Sequence, residues 1–158
     1  MPDSLPSPTR RRAGVTLLEI LLTMAVLSVL SGIGFTSLRS PDASLYARHA
    51  SEVLGEARFH AVARTADVVS YWDADAGALV LRESDGSCAT DGPLVARALV
   101  SDFPRATVDA AAFTPVLWRP NGLPSFCGAT PAATRLVVRD GRTERTVQLD
   151  LVGEVTVR

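Results

Sequence analysis

The sequence predicts an α+β protein: one long amino-terminal helix followed by an antiparallel β domain. Three observations predict it. Nineteen residues, 20–38, pass without a charge, which makes about 28 Å of helix at roughly 1.5 Å per residue. Further on, Tyr46, Ala50, Val53, Leu54, Ala57 and Ala61 fall on one face of a 3.6-residue period, with Arg48 and Glu52 four apart on another. After Ala66 the pattern shifts to period two in short β-rich runs broken by Gly, Asp and Pro.

Residues 2–9 hold Pro2, Pro6 and Pro8 and have no periodic apolar face, so no packed element is expected there. Arg10, Arg11 and Arg12 then flank the apolar run on its amino side. That asymmetry keeps the amino terminus cytoplasmic under the positive-inside rule and places the rest of the chain across the membrane. Ser40-Pro41-Asp42 is the weak joint of the helical region, because proline lacks a donor and disfavours helix at the preceding residue. A kink or short break is expected, with the helix starting afresh at Pro41 or Asp42 and running to about Thr65. A nearly continuous helix over 15–65 would measure about 76 Å.

In the β region, 68–72 and 78–82 read as a hairpin around Asp73-Ala74-Asp75-Ala76-Gly77, and 83–93 reads as loop. Strands are expected at 94–100 and 114–118, the second turned by Pro120-Asn121-Gly122, with 119–133 as loop. The clearest hairpin joins 134–139 to 143–151 through Asp140-Gly141. Val147, Leu149 and Leu151 alternate with Gln148 and Asp150, so one face is buried. A terminal strand is expected over 154–157.

One residue is out of place in this scheme. Glu19 is an ionisable group at the start of a membrane-length apolar stretch, at a cost of about 2.5–3.5 kcal/mol on insertion scales. It requires a partner, a route for snorkelling to water, or a role. A secretory signal fits poorly, since its apolar region is shorter and a small-residue cleavage site follows it.

The basic stub, Gly14, an apolar residue and Thr16-Leu17-Leu18-Glu19 opening a long hydrophobic helix together resemble the class III signal of type IV prepilins and type II secretion pseudopilins. The resemblance implies a pilin-like fold, with the second half of the long helix laid on the antiparallel sheet. It also implies that a prepilin peptidase cuts between Gly14 and Val15 and that Val15 is then N-methylated. Val15 stands where the family usually has phenylalanine, a position these peptidases tolerate. Glu19 becomes the assembly residue, pairing with the α-amino group of a neighbouring subunit, opposite charge offsetting the cost of burying it.

On this reading, 1–14 is leader, 15–38 the transmembrane and filament-core helix, 39–66 its amphipathic continuation and 67–158 a β-rich extracytoplasmic domain. The implied partners are prepilin peptidase, other major and minor pilins or pseudopilins and inner-membrane lipid. The implied location is the inner membrane, single-pass, and then the pilus or pseudopilus. The order Val116-Leu117-Trp118-Arg119-Pro120-Asn121-Gly122, a loop, a hairpin and a terminal Gly153-Glu154-Val155 narrows the resemblance to the GspH/FimT subgroup of minor pilins and pseudopilins, structural subunits assembled near the filament tip.

Candidate chemistry in the β domain is sparse. Cys88 and Cys127 are the only cysteines, and an even count in an exported domain suggests a disulfide. His49 and His60 lie three turns apart and cannot share a metal ion; they read as solvated or sheet-facing helix residues. Ser70, Ser101 and Ser125 lack a nucleophile-elbow context, and without lysine there is no Ser-x-x-Lys pair. Asp73, Asp75, Asp85 and Asp91 have no EF-hand spacing and read as turn residues. No catalytic role, metal or cofactor is therefore expected.

DNA contact is the competing function the resemblance implies, since some FimT-like minor pilins that act in natural transformation carry a carboxyl-terminal cluster of arginines after glycine. Arg135, Arg139, Arg142, Arg145 and Arg158 would supply such a patch. Glu144 interrupts it, and Glu154 follows Gly153 where a DNA-binding relative favours arginine. Removing 1–14 takes away Asp3 and three arginines, leaving 13 arginines against 16 acids, a net charge of −3. That balance points away from nucleic acid, and arginines on a sheet edge also guard against unwanted strand pairing.

Overall fold

A computed structural model describes residues 16–37, 41–128 and 134–158. Two compact units divide it, Met1–Arg39 and Ser40–Arg158. The first holds helix α1, Leu17–Ser37. Residues 1–15, Gly14 and Val15 among them, and the joint residues 38–40 lie outside the described residues.

The second unit opens with α2, Asp42–Arg64, preceded by Pro41 in an extended conformation. A restart at this proline is what its missing donor dictates. The buried stripe comprises Ala43, Tyr46, Ala47, Ala50, Val53, Leu54, Ala57 and Ala61. Its small residues let two sheets approach one helix closely. Thr65 ends α2 in the left-handed region at φ 51°, its N–H donating to the Ala61 carbonyl.

Among the described residues nine strands follow: β1 Asp67–Asp73, β2 Ala78–Ser84, β3 Leu94–Leu99, β4 Thr107–Asp109, β5 Val116–Trp118, β6 Pro124–Phe126, β7 Thr134–Arg139, β8 Glu144–Leu149 and β9 Val155–Val157. They form two antiparallel sheets, β3-β2-β1-β5-β6 and β4-β7-β8-β9, with every neighbouring pair antiparallel. Both sheets pack on α2, so the fold is α+β with a helix on antiparallel sheets.

Two three-residue strands, β4 and β6, differ from the sequence expectation. β6 falls inside 119–133, read above as loop; its Pro124 is tolerated at the first position of an edge strand. β4 exists because Thr107, Val108 and Asp109 pair with Arg139, Val138 and Val137. Strands this short are made by their neighbours rather than by their own propensity.

Trp118 is the largest buried side chain, and its Nε1–H donates to the Ser70 hydroxyl at 3.2 Å. Ser70 in turn donates to the Val116 carbonyl, so the buried polar atoms satisfy one another. Tyr46 meets Phe103 edge to face at 5.5 Å and donates its hydroxyl to Ala98 O. Burial pushes the Tyr46 phenol well above its usual pKa.

Candidate processing and assembly site

Thr16 immediately precedes α1, and the chain enters the helix there. The Glu19 N–H donates to the Thr16 carbonyl at 3.0 Å and approaches its hydroxyl at 3.3 Å, while the Ile20 N–H donates to the same carbonyl. Thr16 is thus the cap of α1, and Thr16-x-x-Glu19 has the capping-box pattern. The spacing of Thr16 and Glu19 carries that signal in the sequence itself. Glu19 is exposed in the first turn, where the positive end of the helix dipole favours a carboxylate.

From Ile20 to Leu30 the helix surface is apolar apart from Thr23 and Ser28, whose hydroxyls donate to backbone carbonyls of the helix itself. Ten large apolar side chains from Leu17 through Leu30 are between 48 and 80% exposed. A helix hydrophobic on every side is stable only when something apolar surrounds it, whether lipid or other helices. Side-chain description in α1 ends at Leu30, and among the described residues no helix is long and apolar enough to cross a membrane.

In the second unit, Cys88 and Cys127 form a disulfide with Cα atoms 5.9 Å apart. Cys88 belongs to the β2–β3 loop and Cys127 follows β6, and β1 and β5 lie between β2 and β6. Three strand spacings are roughly 14 Å, so the loop reaches across β1 and β5. Loop and strand run close together near Gly92, where a Cβ would overlap the Glu83 carbonyl. Arg82 braces the same loop, donating to Gly92 O at 2.7 Å and to the Tyr71 hydroxyl at 3.1 Å.

The five arginines weighed for DNA do not share one face. Arg135 and Arg139 pair in register with Gln148 and Glu144, and Arg139 Nε lies 2.6 Å from Glu144 Oε2. Arg145 is paired with Val138 on the helix side and donates to the Ser44 hydroxyl at 3.2 Å. Arg142 sits at the β7–β8 turn, and Arg158 exchanges backbone hydrogen bonds with Thr146.

The turn residue Asp140 has a structural role the sequence did not announce. Its carboxylate accepts N–H donors from Arg142, Thr143 and, 97 positions away, Ala43 in the first turn of α2. Pro41 offers α2 no side-chain cap, and Asp140 supplies one from the hairpin. The Thr143 N–H, foremost among these donors, holds the Asp140 pKa down at about 2.

His60 Nε2 lies 3.1 Å from Glu83 Oε1, and His49 lies beside Phe103. Asp73, Asp85 and Asp150 accept backbone N–H groups of their own turns. Among the described residues no cluster of His, Cys, Asp or Glu is arranged to hold a metal ion.

Comparison with known proteins adds two findings. Residues 9–35 match the prokaryotic N-terminal methylation motif. The structure is similar to that of the type IV minor pilin FimU of Pseudomonas aeruginosa in two crystal forms. TM-scores are 0.53 and 0.55 at 14% identity, over 73% of this chain and 91% and 87% of FimU respectively. No curated protein matches the sequence significantly.

Proposed function

We propose that this type IV pilin-like chain is a minor pilin or pseudopilin of the GspH/FimT kind, a non-enzymatic subunit of a type IV pilus or type II secretion pseudopilus. It is cut by prepilin peptidase after Gly14, methylated at Val15 and assembled near the filament tip. The observation that carries this reading is the start of α1. A capped helix with one carboxylate in its first turn and exposed apolar sides begins within the stretch matched by the methylation motif.

The chemistry follows from that arrangement. Residues 15–38 hold the subunit in the inner membrane with its amino terminus cytoplasmic, while 67–158, led by the amphipathic 39–66, form the extracytoplasmic part. On assembly, Glu19 pairs with the α-amino group of an adjacent subunit, which offsets the cost of burying both charges. The FimT-like alternative, DNA contact through the last hairpin, has less support: Arg139 is ion-paired and Arg145 faces α2.

Mass spectrometry of the protein purified from its own membranes is the test. N-methylated Val15 is expected at the amino terminus, and an intact leader would sink the reading. Gly14→Ala should block the cut, and Glu19→Ala should leave a cut, membrane-held subunit that does not enter filaments.

A further inference from the structure

The last strand, β9, is an outer strand of its sheet, and its free side is unguarded. The Asp150 N–H donates to Glu154 O, and Thr146 and Arg158 exchange backbone hydrogen bonds, with Gln148 and Thr156 in register between these pairs. Glu154, Thr156 and Arg158 therefore turn their main-chain groups toward β8, and alternation turns those of Val155 and Val157 outward. Among the described residues these outward groups have no partner. Edge strands are commonly blunted by a proline, a bulge or an inward charge. The edge strand β6 begins with Pro124, whereas Val155-Thr156-Val157 carries none of these devices.

Side chains alternate along the same strand. Val155 packs against the core, so Val155 and Val157 share the inner face and Glu154, Thr156 and Arg158 the outer one. Glu154 and Arg158 are exposed, and neither belongs to an ion pair among the described residues. Four residues of strand hold them about 13 Å apart, too far to pair with each other.

We propose that β9 pairs edge to edge with β9 of a second copy of this chain, antiparallel about Thr156, joining their two four-stranded sheets into one. In that register Val155 lies opposite Val157 of the other copy, and the outward N–H and C=O groups of both meet as hydrogen-bonded pairs. Thr156 lies opposite Thr156, and Glu154 lies opposite Arg158 at both ends. The order Glu154-Val155-Thr156-Val157-Arg158 thus specifies its own complement. A strand that sets an arginine against Glu154 and an acid against Arg158, with β-branched residues between, is this strand read in the opposite direction. Parallel pairing of two copies would place like charges together. A slip of one residue sets outward main-chain groups against inward ones, and a slip of two loses both ion pairs. Because the ion pairs face solvent, they choose the register more than they add affinity. The contact is two-fold and isologous, so it closes at two copies. It uses the second unit alone and does not depend on how the chain is processed.

The test is oxidation, in its own cells, of the full-length protein carrying Thr156→Cys. The introduced thiols face each other across the two-fold with Cα atoms about 4.5 Å apart, within reach of a disulfide. A reducible dimer joined through position 156 is expected, while no dimer, or one joined elsewhere, overturns the proposal. In the same background, Glu154→Arg or Arg158→Glu alone sets like charges opposite each other twice, and the dimer yield should fall about tenfold. The two reversals together recreate the complementarity and should restore the yield, which also shows that the single variants fold. Yields indifferent to the single reversals, or a double reversal that stays low, overturn the register and the proposal with it. An intact leader would sink the filament reading and leave this pairing untouched, whereas a missing dimer in correctly processed protein sinks the pairing alone.

Discussion

Ser70, wholly buried, accepts a hydrogen bond from the Trp118 indole N–H and donates its own hydroxyl to Val116 O. Ser70→Ala leaves a buried indole donor without a partner, and a loss of about 1–3 kcal/mol is expected in the denaturant midpoint. Asp140 works through charge. Its folded pKa lies below the ordinary value of 3.8, so the stability it contributes is fully present above about pH 4 and is lost as pH falls toward about 2. Asp85, lowered by its hydrogen bonds with Ser87, acts in the same direction. Asp140→Asn should therefore flatten, without abolishing, the acid limb of a melting-temperature profile measured between pH 5 and pH 2. Glu19 belongs to another category: on the proposed reading its cost is met only by a neighbouring subunit, whereas Ser70 and Asp140 find their partners within the fold.

Among the elements, the β2–β3 loop shows how a sheet face without a helix is covered. Val69, Val80 and Leu117 are buried, yet alternation with Val68, Leu79, Leu81, Val116 and Trp118 turns them away from α2. Arg82, in register with Val69, and the disulfide-tethered loop lie on that side. Replacing both cysteines by serine releases a loop of sequence separation 39. The chain-entropy estimate for closing it is about 4 kcal/mol, and guanidinium unfolding of the double variant should show a loss of that order. Binding of a hydrophobic dye should rise with it, since the loop no longer holds its place over Val69 and Leu117. An unchanged midpoint would mean that Arg82 and Gly92 secure the loop by themselves.

As a molecule, the chain divides at residue 40 into a unit that must be surrounded by apolar material and one that satisfies itself. The start of α2 is tied to the second unit by Asp140 to Ala43, Arg145 to Ser44 and the Arg105 N–H to Asp42. A fragment of residues 41–158 should accordingly stay soluble without detergent and melt cooperatively by circular dichroism, while the full chain partitions into detergent. Much of this organisation was legible in the chain. The uncharged run, the stripe from Tyr46 to Ala61 and the Asp140-Gly141 hairpin are local patterns, and local periodicity decides which face of a helix or strand turns inward. The stretch that matches the N-terminal methylation motif, residues 9–35, was likewise readable, because such a signal is short and contiguous. What only the tertiary structure decided were the split into two sheets, the edge strands β4 and β6, the Asp140 cap on α2 and the covered outer face. All of these depend on which distant residues meet: β4 on β7, Asp140 on Ala43, Cys88 on Cys127. Such meetings are set by how the whole chain packs around α2, and no window of sequence contains both partners.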